Sequence, residues 1–213
     1  MTTHWTFENT ELAKGFDPYV KGQLPWYDLA TGLVTQVCEN YLPTSGGRLY
    51  DIGASTGNVT NSMRELLQNR NVETISLENS ESMCGEWSGF GELVCTDALG
   101  YEFQEFDVAV CFLTLMFLPV KDLHSFWDKL VSKCRQGGCI ILVDKFEAPS
   151  GYAGTVIRRM TLRQKLNSGV SPEEIIEKEL SLSGVQRPLS SKYKTDSCFF
   201  KVGEFEGYIY EPL

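Results

Sequence analysis

Histidine is scarce: the chain has two, His4 and His124, among 213 residues. The cysteines at 38, 84, 95, 111, 134, 139 and 198 include no Cys-x-x-Cys pair. This spacing argues against a zinc site and against a disulfide framework, so no metal is expected. An odd, unpatterned cysteine count suits a reducing compartment, and a cytoplasmic location is expected. Cys95 and Cys111 fall in apolar, strand-like runs and read as small buried hydrophobes. No run of 18 apolar residues occurs, and the first residues, MTTHWTFENTELAKGFD, have neither a basic n-region nor an apolar h-region. A membrane-spanning helix and a secretory signal are therefore not expected. Basic residues are also short: none occurs from Asn71 to Val120, and the formal net charge is −9. A duplex nucleic-acid binder carries a basic face, so duplex DNA is not an expected partner.

What is present fits one globular domain. Hydrophobic residues make up 42% of the chain, and a domain of this size buries roughly 70% of its unfolded surface without staples. Residues 11–40 are expected to be mostly helical, interrupted at Gly22 and Pro25. Gly46 and Gly47 break the chain before RLYDIG, a short apolar run that predicts a buried strand. Helical spacing follows over 58–69 (Val59, Met63, Leu66, Leu67), then a strand at 74–77 and a short helix capped by Ser80. Residues 92–96 and FDVAVCFL predict a third and a fourth strand. Lys121–Cys134 predicts an amphipathic helix with Leu123, Phe126, Trp127, Leu130 and Val131 inward. A turn at Gln136–Gly138 precedes CIILVDKF, the fifth strand. Helices are expected at 152–168 and 172–182, and CFFKVGEFEGYIYEP predicts a closing hairpin that turns around Gly203 to Gly207. Alternating strands and helices argue for a mostly parallel sheet covered on both faces. The expectation is a single α/β domain over 1–213, with a helical cap over 1–45 and a Rossmann-like core over 46–213.

Inside LYDIGASTGNVT, the residues Gly53–Gly57 spell GASTG, which fits two incompatible templates. One is the G-x-S-x-G elbow of a serine hydrolase, with Ser55 as nucleophile. Asp97 or Asp107 and then His124 satisfy its chain order, but His124 sits on a predicted helix and no oxyanion-loop motif precedes the strand. The other template is a glycine turn between the first strand and a helix, which holds a nucleotide-like cofactor at the carboxyl ends of the strands. It fits better: Glu78 ends the next strand about 20 residues on, where a carboxylate can accept from ribose hydroxyls. Asp97 follows the third strand, near an adenine position. A dinucleotide fingerprint would place glycine where Ser55 stands, so S-adenosylmethionine (SAM), which has no phosphate, suits the loop better than NAD.

With these residues in place, the chain resembles the class I SAM-dependent methyltransferases, and more closely the carboxy-SAM synthase family, which acts in wobble-uridine modification of transfer RNA. FDPYVKGQLPWY (16–27) is similar to that family's F-D-x-x-V-x-x-x-I-P-x-Y, and LYDIGASTGNVT to V-Y-D-L-G-C-S-L-G-A-A-T. LENSESM (77–83), FLTLMFLP (112–119) and RQGGCIILVDKF (135–146) also resemble family segments. The resemblance implies a seven-stranded, mostly parallel sheet ending in an antiparallel hairpin, a homodimer, and SAM contacts at Tyr27, Gly53, Ala54, Ser55, Glu78, Asn79, Asp97 and Ala98. Asp51, Gly57 and Phe112, within the same motifs, complete the expected cofactor set.

Two departures fall at the chemistry. Phe112 stands where the family has a SAM-contacting asparagine. Glu179 aligns with an arginine that pairs with the extra carboxylate of carboxy-SAM, and a glutamate there would repel it; a shift of one residue would bring Lys178 to the position. Methyl transfer to an unidentified acceptor is therefore the expected activity, with carboxy-SAM synthesis and a catalytically silent SAM-binding subunit as alternatives. Candidates beside the acceptor are Lys145, Tyr152, Arg158 and Arg159. Paired arginines can hold a carboxylate or phosphate, although a solvated helix face is the favoured reading of this pair.

Overall fold

The computed structural model describes residues 6–212. The chain starts in three helices, α1 (Thr10–Lys14), α2 (Phe16–Gln23) and α3 (Tyr27–Tyr41). Then come β1 (Arg48–Ile52), α4 (Asn58–Ser62), α5 (Arg64–Asn69), β2 (Glu73–Glu78), α6 (Glu81–Gly85) and β3 (Glu92–Cys95). The second half runs β4 (Phe106–Phe112), α7 (Val120–Lys133), β5 (Cys134–Lys145), α8 (Gly151–Asn167), α9 (Pro172–Ser181), β6 (Cys198–Val202) and β7 (Phe205–Tyr210). The strands form one seven-stranded sheet in the order β3-β2-β1-β4-β5-β7-β6. β1 to β5 pair in parallel, whereas β7 runs antiparallel to β5 and to β6.

The central strands are mostly apolar because both faces are covered, with Asp51 in β1 and Asp144 in β5 as buried charged exceptions. In β4, Val108, Val110 and Phe112 enter one core with Val34 and Cys38 of α3, Val59 of α4 and Leu67 of α5. Ala109 and Cys111, one residue out of phase, enter the other with Phe126, Trp127 and Leu130 of α7. The period of two that separates these sets is the pleat itself. Leu123 and Val131 of α7 pack at the edge of the second core, partly buried.

Several boundaries differ from the sequence expectation. Gly22 lies inside α2, and the break falls at residues 24–26, where Pro25 cannot continue a helix. The expected helix over 58–69 splits at Met63, whose φ of −115° leaves the helical region. Residues 135–138 lie within β5 instead of forming a turn before it. They are an irregularity in which Phe106 opposes Cys134 while Val108 already opposes Cys139. The closing turn is confined to Gly203–Glu204, and Gly207 is inside β7.

The cysteine reading needs correction. Cys95 is exposed and forms a disulfide with Cys84 of α6. β3 is an edge strand, so its last residue is not enclosed as an interior strand's would be, whereas Cys111 in β4 is fully buried as expected. With this bond in place, the cysteine pattern no longer supports a reducing compartment. Among the described residues no helix is long and apolar enough to cross a membrane.

Leu130 has no exposed surface and sits between α7 and the sheet. Leu130→Ala is expected to destabilise the fold by about 2–5 kcal/mol, read as a lower urea midpoint with an unchanged slope.

Candidate functional site

β1 and β4 are neighbours, yet their connections leave in opposite directions: β1 leads to β2 on one side, and β4 to β5 on the other. Such a switch point leaves a crevice at the carboxyl ends of the strands. A cavity of about 330 Å³ fills it, within the range of small-molecule sites. The floor is made by Gly53, Ala54 and Ser55 after β1, Glu78 and Asn79 after β2, Asp97 and Ala98 after β3, and Phe112 at the end of β4. Tyr27, the first residue of α3, closes it from the cap segment. Its ring meets Phe112 edge-on at 5.2 Å.

Glu78 organises this floor. One carboxylate oxygen accepts the N–H of Ser55 at 2.7 Å, and the other accepts those of Asn79 and Ser80 at 3.0 and 2.9 Å. Burial raises the carboxyl above its usual range, and these amides work against that shift. Ser55 has φ +52°, a left-handed conformation that is costly for a non-glycine residue; the bond to Glu78 holds it there. Gly53 turns with φ +72°, and a Cβ on it would stand 2.6 Å from the Thr114 side chain. Gly57 carries φ +91° just before α4, and its Cβ would meet the Gly89 backbone at 2.4 Å.

Other expected residues have different roles. Asp51 and Gly57 do not line the cavity. Asp51 lies in β1, 1% exposed, because its side chain turns into the interior behind the loop. Its carboxyl is pushed up to about 7, mainly by burial and further by the charge of Glu78, and its Oδ2 has no hydrogen-bond partner among the described residues. Asp97 lines the cavity while accepting the Leu99 N–H at 2.9 Å, so it also shapes its own turn. Ser55 Oγ contacts Met83 Sδ at 3.6 Å, and His124 is exposed on α7 beside Asp128. His4 lies outside the described residues, so no described histidine approaches the serine, and the hydrolase template is set aside.

The acceptor candidates divide. Lys145 lines the cavity, whereas Tyr152, Arg158 and Arg159 do not. α8 rises roughly 1.5 Å per residue, and only its C-terminal end, at Lys165, reaches the cavity. The expected trio sits roughly 9–20 Å back along the axis by the same rise. Tyr152 is exposed, and Arg158, also exposed, pairs with Glu204 at 3.6 Å.

In their place the cavity gathers Lys145, Lys165 and Lys178 around Glu179. Lys165 is buried and bonds Glu179 at 3.0 Å. Partial burial opposes ionisation of Glu179, yet the charges of Lys165, Lys145 and Lys178 hold its carboxyl below the usual range. Lys178 lies over the Tyr19 ring, 4.5 Å from its centre. Burial first, then the charges of Lys165 and Lys145, push its ammonium down to about 7, against Glu179 and Glu174. Sequence reading missed Lys165, and it raised Lys178 only through an alignment shift. It also missed Asp17, which accepts from Thr56 Oγ1 and Asn58 Nδ2 at 2.7 Å each and so ties the cap to the glycine loop. Asp17 stands inside the FDPYVKGQLPWY stretch, so that segment was the available signal.

Residues 50–142 match the sequence model of a family described as a methyltransferase domain. The chain is similar to that family over these residues, and its sheet has the Rossmann-like fold of class I methyltransferases. A putative SAM-dependent methyltransferase from Methanococcus maripaludis superposes over 99% of this chain and 96% of its own, with TM-score 0.57 and 12% identity. The plantazolicin methyltransferase BpumL, solved with SAH, covers 82% of this chain and 62% of its own at TM-score 0.56 and 15% identity. In sequence, this methyltransferase-fold chain is similar to a carboxy-S-adenosyl-L-methionine synthase of Staphylococcus epidermidis, 26% identical over 96% of each chain. A synthase of the same name from Shewanella sediminis is 28% identical over 84% of this chain and 76% of its own.

Two tests follow. Gly53→Ala meets both the positive φ and Thr114, and is expected to cost about 1–3 kcal/mol of stability, measured by chemical denaturation. For Asp51, the folded protein keeps a proton that the unfolded chain releases near 3.8. Its contribution is therefore present below that value and lost as pH rises toward 7. The melting temperature is expected to fall more between pH 5 and pH 8 in the wild type than in Asp51→Asn.

Proposed function

We propose that this protein binds SAM along the carboxyl edge of the sheet and transfers its methyl group to an acceptor under the α8–α9 helices. The observation that carries this reading is the polarity of the cavity. Glu78 and Asp97 mark one end, and Lys145, at the end of β5, marks the other. Glu78 and Lys145 belong to strands three spacings apart, roughly 14 Å at about 4.8 Å per spacing. That distance suits an extended adenosyl amino acid laid across β2, β1 and β4. Glu78 would accept from the ribose hydroxyls with lone pairs its three amides leave over. Asn79, Asp97 and Ala98 would face the base. Gly53, Ala54, Ser55 and Tyr27 would enclose the amino-acid end.

SAM supplies a methyl group already activated by its sulfonium. The chain's own residues then supply alignment and dryness. Tyr27 and Phe112 pack edge-on, Met116 and Phe117 line the cavity after β4, and Phe16, Tyr19 and Val20 of α2 cover it. Asp144, buried at the end of β5, accepts the N–H of Met116 at 3.2 Å and of Lys145 at 2.8 Å, fixing the β4 loop against β5. Two contacts join the roof: Gln23 Nε2 donates to Glu174 at 2.7 Å, and Ser168 Oγ to the Gly22 carbonyl at 2.6 Å.

Carboxy-SAM synthesis is the second reading, supported by the full-length similarity to synthases of that name. Phe112 and Glu179 stand against it at the two positions where the resemblance placed cofactor-specific groups. Mass spectrometry after incubation with SAM and prephenate separates the readings: carboxy-SAM in the product mixture favours the second, and its absence removes it. Calorimetry checks the cofactor assignment. SAM is expected to bind, with Glu78→Ala weakening it at least tenfold; unchanged affinity in that variant would remove Glu78 from the ribose site.

A further inference from the structure

One side of the cavity floor is not anchored by burial. α6 has five residues and buries only Met83, and none of the four residues of β3 is buried. Elements this short do not hold their shape alone, and local opening is easiest where few apolar side chains are buried. Both nevertheless carry the floor. Ser80 caps α6 by accepting the Met83 N–H at 3.3 Å, while its own N–H donates to Glu78. Thr96, just after β3, donates its N–H to the Glu78 carbonyl at 2.7 Å and lines the cavity with Asp97 and Ala98. Residues 86–91 join α6 to β3 and lean on the glycine loop. The Ser88 N–H donates to the Thr56 carbonyl at 2.9 Å, the Phe90 N–H donates to Thr60 Oγ1 at 3.1 Å, and Gly89 packs directly on Gly57. The Cys84–Cys95 bond closes this stretch into a ring. Cys95 is exposed and Cys84 half-buried, so a thiol in solution reaches the bond.

We propose that the Cys84–Cys95 pair is a redox switch on cofactor binding, holding the site in order when oxidised and loosening it when a small-molecule thiol reduces it. A thiolate attacks the exposed Cys95 sulfur, breaks the bond and releases Cys84, which takes up a proton. A second thiolate attacks the mixed disulfide, releases Cys95 as a thiol and leaves bonded to the first. Two thiols are oxidised to one disulfide while the protein's disulfide is reduced to two thiols, and a small-molecule disulfide runs the exchange backwards. The oxidised ring fixes Ser80 and Thr96 around Glu78, and the 86–91 stretch against the glycine loop, before a ligand arrives. Order present before binding raises affinity. The choice of ligand rests on the SAM reading, whereas control of order around Glu78 stands on the bond and its neighbours.

Calorimetry with S-adenosylhomocysteine tests this on the whole chain in a Cys198→Ser background, which removes the exposed free cysteine. The chain is equilibrated with oxidised or with reduced glutathione, and mass spectrometry after alkylation reads the state of the pair. The oxidised form is expected to bind roughly fivefold or more tightly than the reduced form, and oxidised glutathione should restore the affinity of reduced chain. The double variant Cys84→Ser, Cys95→Ser should bind as the reduced form does and respond to neither reagent. Equal affinity of the two forms, or tighter binding by the reduced one, overturns the proposal. Alkylation of both cysteines after treatment with oxidised glutathione overturns it as well. Loss of the cooperative thermal transition on reduction also overturns it, because the bond is then a staple for the whole fold. If S-adenosylhomocysteine binds neither form, the SAM reading fails and hydrogen exchange decides the switch. Faster exchange at residues 79–84 and 96–98 on reduction supports it, and unchanged exchange overturns it.

Discussion

The Glu78 carboxylate holds the site together. A buried carboxylate is costly unless hydrogen bonds meet it, and here three backbone amides from two segments do so. Ser55 belongs to the glycine loop after β1, and Asn79 and Ser80 begin the approach to α6. One side chain therefore fixes the loop after β1 against the end of β2, and the left-handed turn at Ser55 persists because its N–H has that partner. Asp51 feels the same charge from behind. The floor of the cavity is best understood as packing around a single anion.

Across the sheet the electrostatics reverse. The β2–β3 side of the cavity is acidic, in a stretch of sequence without Lys or Arg, whereas the β5 side collects Lys145, Lys165 and Lys178. A ligand with a hydroxyl-rich end and an anionic neighbour is oriented by that gradient before any specific contact forms. The apolar floor between, with Phe112 where the family resemblance placed an amide side chain, contributes shape and dryness instead of hydrogen bonds.

Much of the sheet could be read from sequence because β1, β2, β4 and β5 are short apolar runs bounded by glycine or polar turns, and burial on both faces leaves no other reading. The glycine loop and Glu78 were legible for the same reason: backbone geometry and strand ends have fixed positions. The lysine wall was not. Lys165 and Lys178 sit on different helices and meet only through tertiary packing, and along the chain they look like solvated helix charges, as Arg158 and Arg159 do. The Cys84–Cys95 bond was also hidden, since pairing depends on α6 folding back beside β3 and not on spacing. Pro25 and Met63 moved helix boundaries by local geometry that periodicity does not resolve.

The roof of the cavity joins the two ends of the sequence. Gln23 meets Glu174, and Gly22 meets Ser168, across separations of 151 and 146 residues. No shorter stretch of chain can enclose the pocket, so during synthesis the crevice stays open to water until α9 has emerged. A ligand that needs the closed form then acts as a clasp between the first helices and the last ones. Its binding energy reports on the first helices and the last ones together, and loss of either group would unroof the crevice.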